Sequence, residues 1–496
     1  MKKTLLSAAA LLMALTACNK EPVGGSAVDN GSVYMQFSVN MLSTRSQTDG
    51  EGEGDSNSNA NPDIEVGLNK ENTISTVDIA LVGPSSTVVA ANVTPTAANV
   101  STYVAKFDTK ALEAGKTYKV YIYANCSAPA AVDVNAVSEA SVAEMTADNK
   151  FWMTNAYDAA DVTLPSDLAV YTQPNTPLSL GSHTVERSMA RFDYKAKNTD
   201  NVYDMGAGLR LTLTEAALIN QSKAHYVFRR VTTSDTDNTP VVGGIETPNN
   251  WVIDTDWESK TRAGFNAQLK VPASWSWTSL SSLRTDDNYD GDYKIWCYAK
   301  ENTVPSIAAQ KHDVSTGVVF KAEITAGETA SAEVKAALAS GKRIYVFNNK
   351  LYGTWADVKT AAVAGTDANL QAAYNQAAAG LEADVEPAAA AAAAAGFTGY
   401  SAVDGKYYTY YYYWNRHNDN LDPYKMGIME YAVVRNNVYK LCVDSISKFG
   451  HPDPTNPTDP DPDPVKPDVP DESVNYYFTV TVKVLPWTVR INNIEF

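Results

Sequence analysis

Histidine, cysteine and positive charge are scarce in this 496-residue sequence. Its five histidines, His183, His225, His312, His417 and His451, are scattered, and its four cysteines, Cys18, Cys126, Cys297 and Cys442, show no paired spacing. No His-x-x-x-His or Cys/His cluster has the spacing of zinc ligands, and neither a Gly-x-Ser-x-Gly elbow nor a glycine-rich phosphate loop occurs. No catalytic residue, metal or cofactor is therefore assigned, and an enzyme is not expected, although a triad gathered from distant positions leaves no local trace. With Cys18 set aside, at most one bridge can form among the other three cysteines, which excludes a disulfide scaffold. Forty Lys and Arg against 57 Asp and Glu give a net charge of −17, and nucleic-acid partners need the opposite balance.

The nearest approach to a metal motif is Asp286-Asp287-Asn288-Tyr289-Asp290-Gly291-Asp292. It has oxygen ligands at alternate positions and a turn glycine, but Cys297 stands where a calcium loop needs a bidentate Glu. An exposed turn is the simpler reading, with a weak Ca²⁺ site at 286–297 as the alternative.

What is present is β-patterned and most distinctive at its ends. In 473–485, Val474, Tyr476, Phe478, Val480, Val482 and Val484 alternate with Asn475, Tyr477, Thr479, Thr481 and Lys483, the two-residue period of a strand with one buried face. Pro486 interrupts the run, and Trp487, Val489 and Ile491 restart the alternation in a second short strand. Residues 451–472, nearly all Pro, Asp, Thr and Asn, have no apolar payload and favour extended polyproline II. At roughly 3.1 Å per residue, about twenty such residues reach on the order of 60 Å. A sticky strand on a long, stiff leash can seek a sheet edge or groove on another molecule.

At the other end, 1–17 has Lys2 and Lys3, then an apolar run too short to cross a membrane, the order of a secretory signal. Leu15-Thr16-Ala17-Cys18 resembles a bacterial lipobox, which marks Cys18 for lipidation and the chain for export and membrane attachment. A second one-faced strand follows, with Val33, Met35, Phe37, Val39 and Met41 alternating with Tyr34, Gln36, Ser38 and Asn40. Arg45 and Ser46 come next, ahead of an acidic Gly/Ser/Asn-rich run that buries too little to be ordered and leaves Arg45 open to proteases. Two readings stand: a removable plug strand cut free at Arg45, or an ordinary first strand followed by a loop.

Between the ends, short strands at steady spacing predict sandwiches. They are expected at 74–81, 88–93, 103–107, 118–124, 185–193, 209–213, 226–231, 251–253, 293–298, 407–414, 429–434 and 438–446. Helices are expected in an insertion at 354–396, from starts at Thr354 and Thr366 and from the alanine run after Pro387 that ends at Gly396. The division read from these patterns is a signal at 1–17, a plug-bearing propeptide at 18–45, and a flexible acidic segment at 46–62. Two domains follow at 63–182 and 183–450, then a linker at 451–472 and a donor tail at 473–496. The aromatic block Tyr407, Tyr408, Tyr410 to Tyr413 and Trp414 reads first as a buried strand, and second as a glycan or protein contact surface.

Taken together, Leu15 to Cys18, Arg45 after a first strand, 118–125, 185–192, 433–441 with Ile446 and Gly450, the Pro/Asp linker and the 480–487 tail resemble the Bacteroidetes-type (type V) fimbrial subunits. The likeness is to the shaft subunit of minor, short fimbriae, the Mfa class related to FimA. The resemblance implies a mostly β chain with two tandem β-sandwich domains of transthyretin-like or Greek-key type, a few short helices in the second, and an extended C-terminal donor strand. It also implies an outer-membrane lipidated precursor, cleavage by an Arg-specific protease after Arg45, and polymerisation with identical subunits by donor-strand exchange. The fimbrium it implies supports adhesion, biofilm formation and virulence, with accessory, tip and anchor subunits and host or bacterial surface proteins or glycans as further partners. An accessory, tip or anchor subunit, or a glycan-binding surface lipoprotein, is the alternative.

Overall fold

The computed structural model describes residues 31–42, 67–97, 100–196, 199–237, 239–247, 249–283, 293–382, 385–418, 422, 425–454, 478–486 and 490–492. The fold is mostly β. The first half contains β1 (Ser32–Met41), helix α1 (Asn69–Asn72), β2 (Val77–Val82), β3 (Thr87–Val93), β4 (Thr102–Asp108) and β5 (Thr117–Ala124). It continues through β6 (Val137–Ser138), α2 (Val142–Met145), β7 (Met153–Asn155), β8 (Ala160–Thr163) and β9 (Leu178–Arg187). Seven of these strands form one sheet in the order β3-β2-β5-β7-β9-β1-β4, with β8 also paired to β5. Its end strands β3 and β4 are consecutive in the chain, and Pro95 bridges Tyr103 between them, so the sheet curls round a shared core. Inward-facing Val33, Phe37, Ile79, Leu81, Val120, Ile122, Met153 and Val185 fill that core. Asn125, in the left-handed region (φ 59°), closes β5. Its side chain accepts from the Ser75 amide (2.8 Å) and donates to the carbonyls of Thr73 (2.8 Å) and Phe151 (3.0 Å).

The second half contains β10 (Ala190–Ala196), β11 (Val202–Gly206), β12 (Leu209–Ile219), β13 (His225–Tyr226), β14 (Arg230–Thr232), β15 (Pro240–Val242), α3 (Arg262–Leu269), β16 (Thr278–Ser279), β17 (Lys294–Ala299) and β18 (Gly317–Ala326). Next come α4 (Ala332–Ala339), β19 (Ile344–Phe347), β20 (Lys350–Tyr352), α5 (Trp355–Val363), α6 (Ala368–Ala377), α7 (Ala389–Ala394) and β21 (Thr398–Tyr400). The chain closes with β22 (Tyr407–Trp414), β23 (Asn437–Ile446), β24 (Phe478–Pro486) and β25 (Arg490–Asn492). One sheet runs β17-β10-β23-β24-β25 and the other β11-β12-β18-β22. They enclose a core in which Phe192, Tyr194, Tyr439, Leu441 and Val443 meet Leu211, Leu213, Phe320 and Tyr411. The insertion is helical, and the Thr354 hydroxyl accepts from the Asp357 amide at 3.2 Å to cap α5. α6 is capped by Asp367, one residue beyond Thr366. Together α5, α6 and α7 cover the three-stranded sheet β20-β19-β21.

Three expectations need correction. Residues 185–193 form no single strand: β9 ends in the first sheet at Arg187 and β10 begins in another at Ala190, so the chain passes between the sheets at 188–189. Residues 251–253 and 429–434 make only the isolated bridges Val231–Val252 and Asn302–Val433. They are apolar because Trp251, Val252, Ile253, Met429, Ala432 and Val434 fill a small core together. In 226–231 only the ends pair, as β13 with β6 and β14 with β15.

The domain crossing carries two buried ionic networks. Arg191, fully buried, donates from Nη1 to Glu71 Oε2 (2.8 Å) and from Nη2 to Asp193 Oδ2 (2.7 Å). Glu71 also accepts from the Tyr298 hydroxyl (2.7 Å) and the Leu68 amide (2.7 Å), so α1 of the first domain is fastened to β10 and β17 of the second. Arg187 reaches Asn72 and Asn436 beside it. In the second network Arg229 pairs with Glu186, Arg435 with Glu301 (2.6 Å), and His417 lies between Glu246 (2.5 Å) and the Tyr439 hydroxyl (2.9 Å). Burial pushes the Glu186 carboxyl up to about 7 against the opposing pull of Arg229 and Arg435. Removing one partner of a buried pair strands the other charge, at a cost of roughly 3–5 kcal/mol. Arg191→Met is expected to lower unfolding stability by about that much, read by urea denaturation; a loss under about 1 kcal/mol contradicts a dependence of the domain seam on this cation.

Candidate assembly site

β1 lies inside its sheet, between antiparallel β4 and parallel β9. Val33 pairs with Phe107 and Phe37 with Tyr103 on one side, and Val39 with His183 and Met41 with Val185 on the other. An extra residue in β9 opposite Phe37 makes a bulge at Leu180–Gly181, and Gly181 supplies the positive φ (85°). Val33, Met35, Phe37 and Val39 are at most 2 % exposed, while Met41 is half-buried at the core's rim. Gln36 and Asn40 face out. The Phe37 ring stacks on Tyr103 with centroids 5.4 Å apart. Four buried side chains at about 1.5–3 kcal/mol each make the apolar contribution of this strand on the order of 6–12 kcal/mol. Without β1, both β4 and β9 would present unpaired backbone to a vacated apolar slot.

Among the C-terminal residues, Phe478, Val480, Val482 and Val484 belong to β24 and Ile491 to β25. β24 runs antiparallel along β23 of the same chain, from Phe478 opposite Ile446 to Pro486 opposite Asn437, and β25 pairs with β24. The tail thus occupies the edge of its own second domain, and Pro486 ends a strand, where its missing N–H matters least. Cys18, Arg45, Ser46, Val474, Tyr476, Trp487 and Val489 lie outside the described residues, as does most of the 286–297 loop.

The contact-surface reading of the aromatic block is overturned for most of its members. Tyr407, Tyr411, Tyr412, Tyr413 and Trp414 are buried, and only Tyr408 and Tyr410 are half-exposed. Both faces of β22 are covered, one by the sandwich core and the other by Trp275, Met426 and Tyr431, which alternation in the sequence alone cannot reveal. Cys126, Cys297 and Cys442 are free thiols, and burial raises that of Cys126 to about 12. Among the described residues no group of three His, Cys, Asp or Glu is placed to hold a metal. The arrangement offers strand pairing, along β4 and β9 at one end and along β23 at the other.

Residues 406–493, which include β22, β23 and both tail strands, match the family model described as "Major fimbrial subunit protein type IV, Fimbrillin, C-terminal". Through this region the chain is similar to the fimbrillins. Fimbrillins are structural subunits of fimbriae, which are cell-surface appendages, and they polymerise with other fimbrial subunits. Among curated proteins nothing matches. Among solved structures, a fimbrilin (FimA) from Porphyromonas gingivalis W83 is 12 % identical, with a TM-score of 0.38 over 92 % of this chain and 97 % of that one. The tip fimbrial protein Mfa3 from Porphyromonas gingivalis, with a C-terminal truncation, is 10 % identical, with a TM-score of 0.35 over 84 % and 95 %.

Within the matched region, His451 pairs with β22 next to Asp453, and burial pulls its imidazole down to about 4 from the usual 6.5. The folded ring stays neutral while an unfolded one takes up a proton between about pH 6.5 and 4, so this contribution is full above 6.5 and falls as pH drops through that window. The loss by pH 4 is up to about 3 kcal/mol. Amide exchange of 448–454 is expected to speed up between pH 7.5 and 5 beyond the intrinsic correction, and His451→Gln is expected to flatten that dependence.

Proposed function

We propose that this chain is a fimbrillin, a fibre-forming subunit of a cell-surface fimbrium, exported as a lipoprotein through Cys18. An Arg-specific protease activates it by cutting between Arg45 and Ser46, and it polymerises when the C-terminal strands of one subunit enter the groove that β1 vacates in the next. Val33, Met35, Phe37, Val39 and Met41 form the plug. Val474, Tyr476, Phe478, Val480, Val482 and Val484, with Trp487, Val489 and Ile491, form the donor. The observation that carries this reading is the interior position of β1 in its sheet, upstream of Arg45, so that a single cut frees a complete interior strand. The tail supports it, because its alternating apolar positions offer like for like. The same cut parts the chain from its lipid and suits a subunit that leaves the outer membrane for a fibre. The fibre in turn supports adhesion and biofilm formation. A tail that carries two strands favours the shaft over a tip or anchor subunit, since a fibre end lacks one neighbour.

Residues 19–496, made without lipid and treated with an Arg-specific protease, are expected to pass from monomer to filaments by gel filtration and electron microscopy. A chain ending at Glu472 is expected to stay monomeric after the same cut. An unchanged oligomeric state in the cut full-length protein sinks the strand-exchange reading. Phe37→Ala is expected to cost about 3–5 kcal/mol of first-domain stability and, once cut, to shed its plug and assemble faster than the parent protein.

A further inference from the structure

The tyrosines that are too buried to bind a ligand converge on the root of the tail. Residues 447–454 follow β23, have no regular secondary structure, and run along the edge of β22. Phe449, Gly450 and His451 are buried while Ser447, Lys448 and Asp453 are exposed; irregular backbone needs donors for its carbonyls where it is buried, and here side chains supply them at four positions. The Tyr411 hydroxyl donates to the Lys448 carbonyl (2.9 Å), that of Tyr400 to Gly450 (2.6 Å) and that of Tyr412 to Pro454 (2.9 Å). The Asn349 amide donates to the Ser447 carbonyl (2.8 Å). His451 exchanges both backbone hydrogen bonds with Tyr410 (2.9 Å each) and sets its ring edge-on to Tyr412, with centroids 5.4 Å apart. Successive strand residues point to opposite faces, so Tyr411 and Tyr412 grip the segment from the two sides of the sheet while Tyr410 holds it in plane. Gly450 is required by this fit, since a Cβ there would lie 2.3 Å from the Tyr410 carbonyl oxygen and 2.9 Å from the Tyr411 ring.

We propose that Tyr400, Tyr411 and Tyr412, with Gly450 and His451, form a clamp that fixes the exit point of the C-terminal arm and thereby sets the reach of the donor strand. They are positioning residues, and their assembly role rests on the strand-exchange reading given above. With the clamp closed, the arm is held through Pro454 and the Pro/Asp stretch alone spans the distance to a neighbour. Opening it adds the eight residues 447–454, about 25 Å at the polyproline II rise. The clamp also covers the edge of β22, which would otherwise offer unpaired backbone to other chains.

The test uses residues 19–496 carrying Tyr400→Phe, Tyr411→Phe and Tyr412→Phe, which remove three hydroxyls and keep every ring. Hydrogen exchange of 448–454 is expected to accelerate at least tenfold while β23 stays protected. A second variant, Gly450→Ala, reaches the same segment without altering any tyrosine and is expected to do likewise. Deleting 456–463 is expected to slow filament growth of the cut protein at least tenfold, and adding the three Tyr→Phe changes to the deletion is expected to restore it. A purely structural contact cannot produce that rescue. Unchanged exchange in both variants overturns the clamp. Faster exchange without rescue overturns its control of reach and leaves strand exchange standing. Absence of filaments from the cut parent protein refutes strand exchange and with it the clamp's assembly role, while the exchange data still report whether the clamp exists.

Discussion

The constraint on which the rest of the first domain depends is that its earliest described strand lies in the middle of its sheet. β1 is hydrogen-bonded along both edges, to β4 seventy residues onward and to β9 still farther along the chain. The continuity of the sheet between β9 and β4, and the closing of its core over Phe37, therefore rest on a segment whose link to the remainder of the domain runs through 43–66. That link is rich in Gly, Ser, Asn and Asp. A terminal strand can leave without unthreading anything, whereas an interior strand with covalent connections at both ends cannot. The next fastening point on the chain is α1, where Glu71 is fixed by Arg191 and Tyr298 of the second domain. Loss of everything before 46 leaves α1, the first described element after the cut, moored at the domain seam just ahead of β2.

The seam itself is built from charges, and burial makes those charges a device for geometry more than for stability. A well-packed apolar seam of the same volume can be as stable or more so. What the Arg191 and Arg435 networks add is that a rotation of one domain against the other breaks several short, directional bonds at once. Under the strand exchange proposed above, load would pass from the first domain to a neighbour held by the tail, and a single fixed angle between domains would be the relevant property. The crossing at 188–189 places Glu186, Arg187 and Arg191 on both sides of the turn, so one short stretch of chain supplies members of both networks.

The parts of this fold that were legible in the sequence are those governed by one local period. Val33 to Val39 read as a one-faced strand and are one, and Thr354 with Asp357 read as a cap and are one. Central strand β18 was missed because its first half, Gly317 to Phe320, is buried on both faces and does not alternate. Residues 251–253 and 429–434 misled for the opposite reason, being apolar without pairing. Nothing local marks Glu71 as the partner of Arg191, since 120 positions separate them. At the candidate site, the plug and tail patterns were visible as patterns. The position of β1 inside its sheet, the pairing of β24 with β23, and the convergence of phenol groups on 447–454 are facts of topology. They depend on which edges the fold leaves free, and a sequence does not contain its own edges in readable form.

The resting place of the tail bears on why assembly would wait for a cut. β23 has β10 on one side and would be an unpaired edge on the other without β24. Donating the tail to a neighbour therefore uncovers one edge in order to fill one groove, and the two changes are similar in kind: a strand of nine or ten residues, ladder bonds and an apolar face. Under strand exchange the contact energies nearly cancel, so connectivity sets the direction. A plug attached to its own domain returns to its groove at an effective concentration on the order of millimolar, which a neighbour's tail cannot match in dilute solution. Once the attachment is cut, a plug that leaves is diluted, while a tail that enters stays anchored to a whole subunit and is joined by the contacts of two domains. Proteolysis would thus change little in the strength of either pairing and would remove the entropic advantage of the strand already in place.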